Sequence, residues 1–285
     1  MASSNRLFVK ITRENLPQMK DRYPYLYLEH GRLEVDDSSV KWIDASGNVV
    51  RLPIATLHSL ALGPGTSVTH EAVKVVAAAN CCLMWVGSES MLFYASGISP
   101  TADTRNLLRQ VQLAGDPATS LEVARRMFAK RFPEADLSKR SLQEMMGMEG
   151  VRVRALYAQK AAQYGVQWQG RRFEPGKFDQ SNLTNKILTA CNAALYGIVC
   201  ASVHSCGFSP HIGFIHSGSP LPFVYDLADL YKSHLCIDLA FSLTADLKGS
   251  YDKVKVSDAF RARVLESELL KNIVADIYGV LGMEK

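Results

Sequence analysis

Across 285 residues there is no Walker-type GxxxxGK[ST] loop, no dinucleotide GxGxxG, no GxSxG elbow and no HExxH pair. Nucleotide hydrolysis and serine-hydrolase chemistry lose ground accordingly. The six cysteines (Cys81, Cys82, Cys191, Cys200, Cys206, Cys236) contain no CxxC spacing, and several lie in apolar runs where a reduced thiol behaves as a small hydrophobe. The expectation is a reducing cytoplasm and no structural zinc. The N-terminus lacks a continuous apolar stretch of signal-peptide type. The most apolar later run, Ala190 to Val203, reads as too short, and too polar at Asn192 and Ser202, to span a bilayer. No solenoid-period repeat and no low-complexity tract is found.

What is present is an ordinary globular composition, 47% apolar, long enough for two modest domains without disulfide staples. The net charge of +4 and a pI near 8.7 fit a polyanionic partner without requiring one.

From Tyr25 to about Ala95 the apolar pattern is short and alternating. YLYLEH, RLEVD, SVKWID and VVRLP are punctuated by Gly31, Ser46-Gly47-Asn48 and Pro53, and read as antiparallel strands joined by tight turns. Thr69 can cap a helix through EAVKVVAAAN, after which LMWVG and MLFYA resume the strand signal. SGISPTADT, rich in small and turn-forming residues, marks a boundary. Helical periods follow at about 103–115, 118–131, 138–165, 183–206, 222–246 with a break, and 256–281. The fold class is therefore α+β: a β-rich N-terminal domain over 1–97, a linker over 98–104 and a larger all-α domain over 105–285. GRRFEPGKFDQSN, at 170–182, is a long polar connection of the kind that more often carries function than not.

The most informative segment is GFIHSGSPLPFVYDLADLYK, at 213–232. It sets His216 in a Gly/Ser loop, Pro222 at a helix start, and then Asp226 and Asp229 about one turn apart on one helix face. Leu221, Phe223, Val224, Leu227 and Leu230 imply that this helix is buried, where two stacked carboxylates need a cation or a shared proton. A metal ion satisfies that need, and so does pairing with Arg or Lys. Glu149, ahead of Gly150, Arg152 and Arg154, reads locally as a helix charge. Taken together, Glu149, His216, Asp226 and Asp229 form an oxygen-rich set with one imidazole, suited to Mg²⁺ or Mn²⁺ rather than zinc and typical of phosphodiester chemistry. His204 falls within or just after an apolar helix, and His211 and His234 have no acidic partner at a convincing spacing.

Cations and aromatics gather in the same half: Arg152, Arg154, Trp168, Arg171, Arg172, Phe173, Lys177, Lys186, Tyr196 and Lys232. They suit phosphate contact and base stacking, or equally a solvated face over core aromatics.

Several ordered motifs give the chain a resemblance along nearly its whole length. MKDRYPYLYLEHGRLEV, PIATLHSLALGPGTSVTHEAV, LMWVG, RMFAKRF, GMEGVRVRALYAQKAAQYGVQWQGRRF and above all GFIHSGSPLPFVYDLADLYK are similar to the CRISPR-associated integrase of type I-E systems, the larger of the two universal spacer-acquisition proteins. The resemblance implies a β-rich domain that helps form a homodimer and a helical domain that holds the metal. It implies Glu149, His216 and Asp229 as direct ligands, with Asp226 adjacent and needed for activity, and Tyr196 and Lys232 as DNA or phosphate contacts. It further implies that the dimers clamp a small adaptation partner protein, capture a foreign DNA fragment and insert it at the first CRISPR repeat through the fragment's 3′-OH. Related proteins also cut branched DNA. Met146 and Ser219 stand where the resemblance leads one to expect basic residues. Two rival readings are a branched-DNA repair nuclease working without the partner, and a non-catalytic DNA-binding scaffold whose acidic cluster pairs with Arg152 or Lys232.

Overall fold

The computed structural model describes residues 16–18, 21–37, 39–87, 93–97, 104–172 and 178–283. Among the described residues, two four-stranded sheets form the N-terminal third. Strands β1 (Leu26–Leu28), β2 (Gly31–Asp36), β3 (Ser39–Asp44), β4 (Val49–Arg51), β5 (Ser59–Leu62), β6 (Thr66–Val68), β7 (Cys82–Val86) and β8 (Phe93–Gly97) pair in the orders β1-β5-β7-β8 and β4-β3-β2-β6. The expected antiparallel pairing holds for β2–β3, β3–β4 and β7–β8. It is corrected for β1–β5, β5–β7 and β2–β6, which run parallel. In the first sheet the cause is β5, SLAL, a fully buried strand between two parallel neighbours. A strand covered on both faces has no alternation for a sequence reading to find.

Helix α1 (His70–Ala78) starts where Thr69 Oγ accepts the Ala72 N–H. Its Ala72 and Val76 pack with Leu33, Trp42, Leu60 and Leu62 in the N-terminal core. Helices α2 (Arg105–Gly115), α3 (Pro117–Arg131), α4 (Leu142–Tyr164), α5 (Leu183–Ser205), α6 (Pro222–Ala228), α7 (Asp238–Leu247), α8 (Lys253–Glu266) and α9 (Leu269–Leu281) follow. Helix α4 begins four residues later than the periodicity predicts, because Ser141 and Glu144 cap it reciprocally. The expected break in 222–246 is real and includes a π-helical turn over Ser233–Ile237. A second interruption, at Ser267 and a left-handed Glu268, divides what the sequence presents as one helix over 256–281.

Helix α5 is the axis of the helical core. It is 23 residues long and apolar enough to cross a membrane by length and composition, which corrects the reading of this run as too short. Of its most apolar window, 72% is buried inside the fold, so protein rather than lipid covers that surface. Its far end meets the first sheet, with Ala201 packed against Ala61, Cys82, Met84 and Val86. Gly197 allows the approach, since a Cβ there would lie 2.8 Å from the Met84 sulfur. Buried His58 Nε2 lies 3.2 Å from Ser202 Oγ across the same junction.

Candidate active site

Three elements deliver the four residues that the sequence singles out. Glu149 comes from α4, His216 from the loop ahead of α6, Asp226 from within α6, and Asp229 from its C-terminal cap. The loop closes tightly over the helix start. A Cβ on Gly213 would sit 2.7 Å from the Pro222 ring and 2.8 Å from the His216 carbonyl oxygen.

Asp226 is completely buried. Its Oδ2 accepts the backbone N–H of Phe214 (2.6 Å) and Ile215 (3.1 Å), and its Oδ1 accepts the N–H of His216 at 2.8 Å. The same Oδ1 lies 2.8 Å from His216 Nδ1. Three backbone donors and an imidazole thus satisfy a carboxylate that would otherwise be costly to bury. The hydrogen bond to Asp226 holds His216 above the usual histidine range, against the opposing effect of burial. With Nδ1 engaged, Nε2 points on toward Asp229, 3.9 Å from its Oδ2. The two aspartates do not face each other; the imidazole stands between them.

Asp229 meets two cations: Lys232 Nζ at 2.5 Å and Arg131 Nη1 at 3.8 Å. Arg131 Nη1 also donates to Glu149, and its Nη2 donates to the Asp226 carbonyl at 3.1 Å. Burial works against the Lys232 charge, but Asp229 and Tyr196 hold the ammonium above the ordinary lysine range. Lys232 lies 4.8 Å over the Tyr196 ring, and Tyr196 meets Tyr225 edge-on at 4.9 Å. Glu149, His216, Asp226, Asp229, Tyr196 and Lys232 are therefore one neighbourhood.

Arg131 is the member that sequence reasoning missed. It lies in RMFAKRF, a segment that reads as an ordinary basic helix end, and nothing local places it beside Glu149, 18 residues on. Gln110 of α2 was missed as well: its amide is buried and holds Ser209 N, Ser209 O and Ile212 O at 2.8–2.9 Å, just ahead of the His216 loop.

The remaining basic residues are spread wider. Arg152 lies over the Phe132 ring and Lys186 over the Phe178 ring, at 4.9 and 5.4 Å, while Arg154 and Arg172 are exposed. Arg171 uses its guanidinium within the chain, donating to Asn185 Oδ1 (2.9 Å) and Thr189 Oγ1 (3.0 Å), and burial draws it below the usual arginine range. Trp168 stacks on Tyr157 at 4.8 Å and meets Phe241 edge-on, which is core packing. Phe173 and Lys177 lie outside the described residues.

Two carboxylates and an imidazole nitrogen suit a hard divalent cation by donor type. In the present side-chain positions, no three His, Cys, Asp or Glu groups among the described residues converge closely enough to share an ion. Arg131 and Lys232 hold the carboxylate oxygens that would do so.

The family described as CRISPR associated protein Cas1 matches residues 128–277, a span that includes Arg131 and the whole acidic cluster. The CRISPR-associated endonuclease Cas1 2 of Chlorobaculum tepidum is 63% identical over 98% of this chain and 95% of its own length. The crystal structure of a TtCas1–DNA complex superposes with a TM-score of 0.68 at 38% identity, over 93% of this chain and 99% of that one. A casposase bound to integration product shares the fold, with a TM-score of 0.70 at 14% identity over 92% and 91% of the two chains.

Proposed function

The chain belongs to the CRISPR associated protein Cas1 family, a family of endonucleases and integrases, and from that premise we propose that it is a spacer-acquisition integrase of the type I-E kind. It captures foreign DNA fragments and inserts them into a CRISPR array. It works in the cytoplasm as a homodimer clamped on a small adaptation partner protein, with the β-rich domain helping to form the dimer.

The observation that carries the reading is the line of contacts from buried Asp226 through partly exposed His216 to Asp229. Its geometry presents one imidazole nitrogen and a partly exposed carboxylate on a surface bordered by Lys232 and Tyr196. Glu149, His216 and Asp229 are the residues that would hold Mg²⁺ or Mn²⁺, which supplies Lewis acidity toward a phosphate and its attacking hydroxyl. Asp226 is a positioning residue: its carboxylate is spent on the loop and on Nδ1. Lys232 and Tyr196 receive a phosphate and a base or sugar face at the rim. Arg152, Arg154, Arg172 and Lys186 extend that contact along the backbone, and Arg171 braces the loop that carries Arg172.

In joining, a 3′-OH of the fragment attacks a repeat phosphodiester. A new P–O bond forms, the old 3′-oxygen leaves and takes a proton, and no bond energy is lost to water. Water as the nucleophile gives cutting instead, including of branched DNA.

The Asp229–Lys232 pair is what the non-catalytic scaffold reading expects, and Glu149 pairs with Arg131 rather than with the Arg152 that reading named. Supplying one protein preparation with a 3′-OH duplex and a leader–repeat plasmid, or with a branched duplex, separates the readings. Joined product supports the integrase, cutting without joining the repair nuclease, and neither reaction the scaffold.

A further inference from the structure

We propose that Arg131 is a positioning residue that acts as a resident counter-cation, holding the Glu149 and Asp229 carboxylates and keeping the affinity of the site for a divalent ion low. The inference rests on the assignment of those carboxylates as ligands and adds a residue that opposes the ion they attract.

Arg131 is firmly fixed. It ends α3, its side chain is only 7% exposed, and its guanidinium lies 4.9 Å over the Phe128 ring of the same helix. One terminal nitrogen is committed to Glu149 of α4, with Asp229 within 3.8 Å, and the other to the Asp226 carbonyl of α6. The backbone beside it is anchored as well. The neighbouring Lys130 pairs with Asp276 of α9 at 2.6 Å, and the second oxygen of that carboxylate accepts the Tyr231 hydroxyl at 2.5 Å. Asp276 therefore ties the end of α3 to the turn that follows Asp229, on either side of the acidic cluster.

A lysine at the rim can turn toward an arriving phosphate; an arginine held at this many points cannot. Any divalent ion drawn to Glu149 and Asp229 must bind beside a fixed unit of positive charge. At separations of a few ångström, even with strong dielectric damping, that repulsion weakens binding by roughly tenfold or more. The same charge lets the chain fold without an ion, because the two carboxylates are never left to repel each other in a half-buried space.

The test is Mn²⁺ titration of the full-length, EDTA-stripped protein followed by electron paramagnetic resonance, together with melting temperatures in EDTA and in saturating Mn²⁺. Arg131→Met removes the charge; Arg131→Gln removes it while keeping a donor for the Asp226 carbonyl; Arg131→Lys keeps the charge without the fork. The expected result is that the neutral variants bind Mn²⁺ roughly tenfold or more tightly than wild type. They should also melt below wild type in EDTA and recover most of the difference with Mn²⁺, while the lysine variant binds much as wild type does. Equal or weaker Mn²⁺ binding by the neutral variants, with wild-type binding that His216→Ala removes, overturns the proposal and leaves the ligand assignment standing. Wild-type binding that His216→Ala does not alter, or no binding by any form, overturns the ligand assignment and the proposal with it. Failure of both neutral variants to fold even in Mn²⁺ overturns it too, since a counter-cation is replaceable by the ion it opposes.

Discussion

Asp226 and His58 illustrate how differently the fold treats two buried titratable side chains. Asp226 is surrounded by donors, three of them backbone N–H groups of the loop it organises. Asp226→Asn would set an amide NH₂ against backbone N–H groups and remove the charge that orients His216. The expected cost is about 2–3 kcal/mol of stability, from charge-assisted hydrogen bonds lost in a buried place. DNA joining should fall by more than that instability explains, which chemical denaturation beside an activity measurement at a permissive temperature would separate. His58 is the opposite case. Burial, reinforced by the Arg22 charge, lowers its imidazole to about 4. Between about 6.5 and 4 the unfolded chain therefore binds a proton that the folded chain refuses, so stability falls as pH drops through that window. The loss attributable to this residue approaches about 3 kcal/mol at pH 4. Denaturant unfolding from pH 7 to pH 4 should show a shallower decline in His58→Gln than in wild type; parallel curves would contradict the assignment.

Among the elements, α2 bears on the site without touching it. Asn106 and Gln110, one turn apart, lay a polar face on the segment between α5 and the His216 loop: Asn106 donates to the Cys206 carbonyl at 2.7 Å, and Gln110 makes its three bonds to Ser209 and Ile212. Gln110→Ala would leave buried backbone groups unpaired, at an expected cost of about 2–3 kcal/mol. It should also loosen the loop whose N–H groups hold Asp226. Hydrogen exchange of the Phe214, Ile215 and His216 amides should quicken in this variant before global unfolding does; unchanged protection there would show that α2 serves the core alone. Element boundaries were partly legible in the sequence for related reasons. The start of α5 after Asn182 and the stop of α4 at Gly165 follow from the sequence, whereas the apolar period overshoots the start of α4, which the Ser141–Glu144 capping box fixes. β5 and the parallel pairings did not declare themselves, because which strand lies beside which is decided by contacts distant in sequence.

At the scale of the whole molecule, the site is an assembly of residues that the sequence keeps far apart. GFIHSGSPLPFVYDLADLYK advertised His216, Asp226 and Asp229 because loop, helix start and carboxylates fall within one short stretch. The division of labour between the two aspartates was not readable from their spacing; it depends on which of them turns toward the loop N–H groups. Arg131 was invisible for the same kind of reason, since its partners arrive from α4 and α6 only after folding. The basic residues were legible as a population and not as individuals: Arg171 is turned inward, while Arg172 beside it faces solvent. The measurement that bears most directly on the central claim is integration of a short 3′-OH duplex into a supercoiled leader–repeat plasmid, with the partner protein present, in Mg²⁺ or Mn²⁺ and in EDTA. The expected result is joined product that requires the ion and disappears in folded Asp229→Ala; joining that persists in EDTA or in that variant would contradict it.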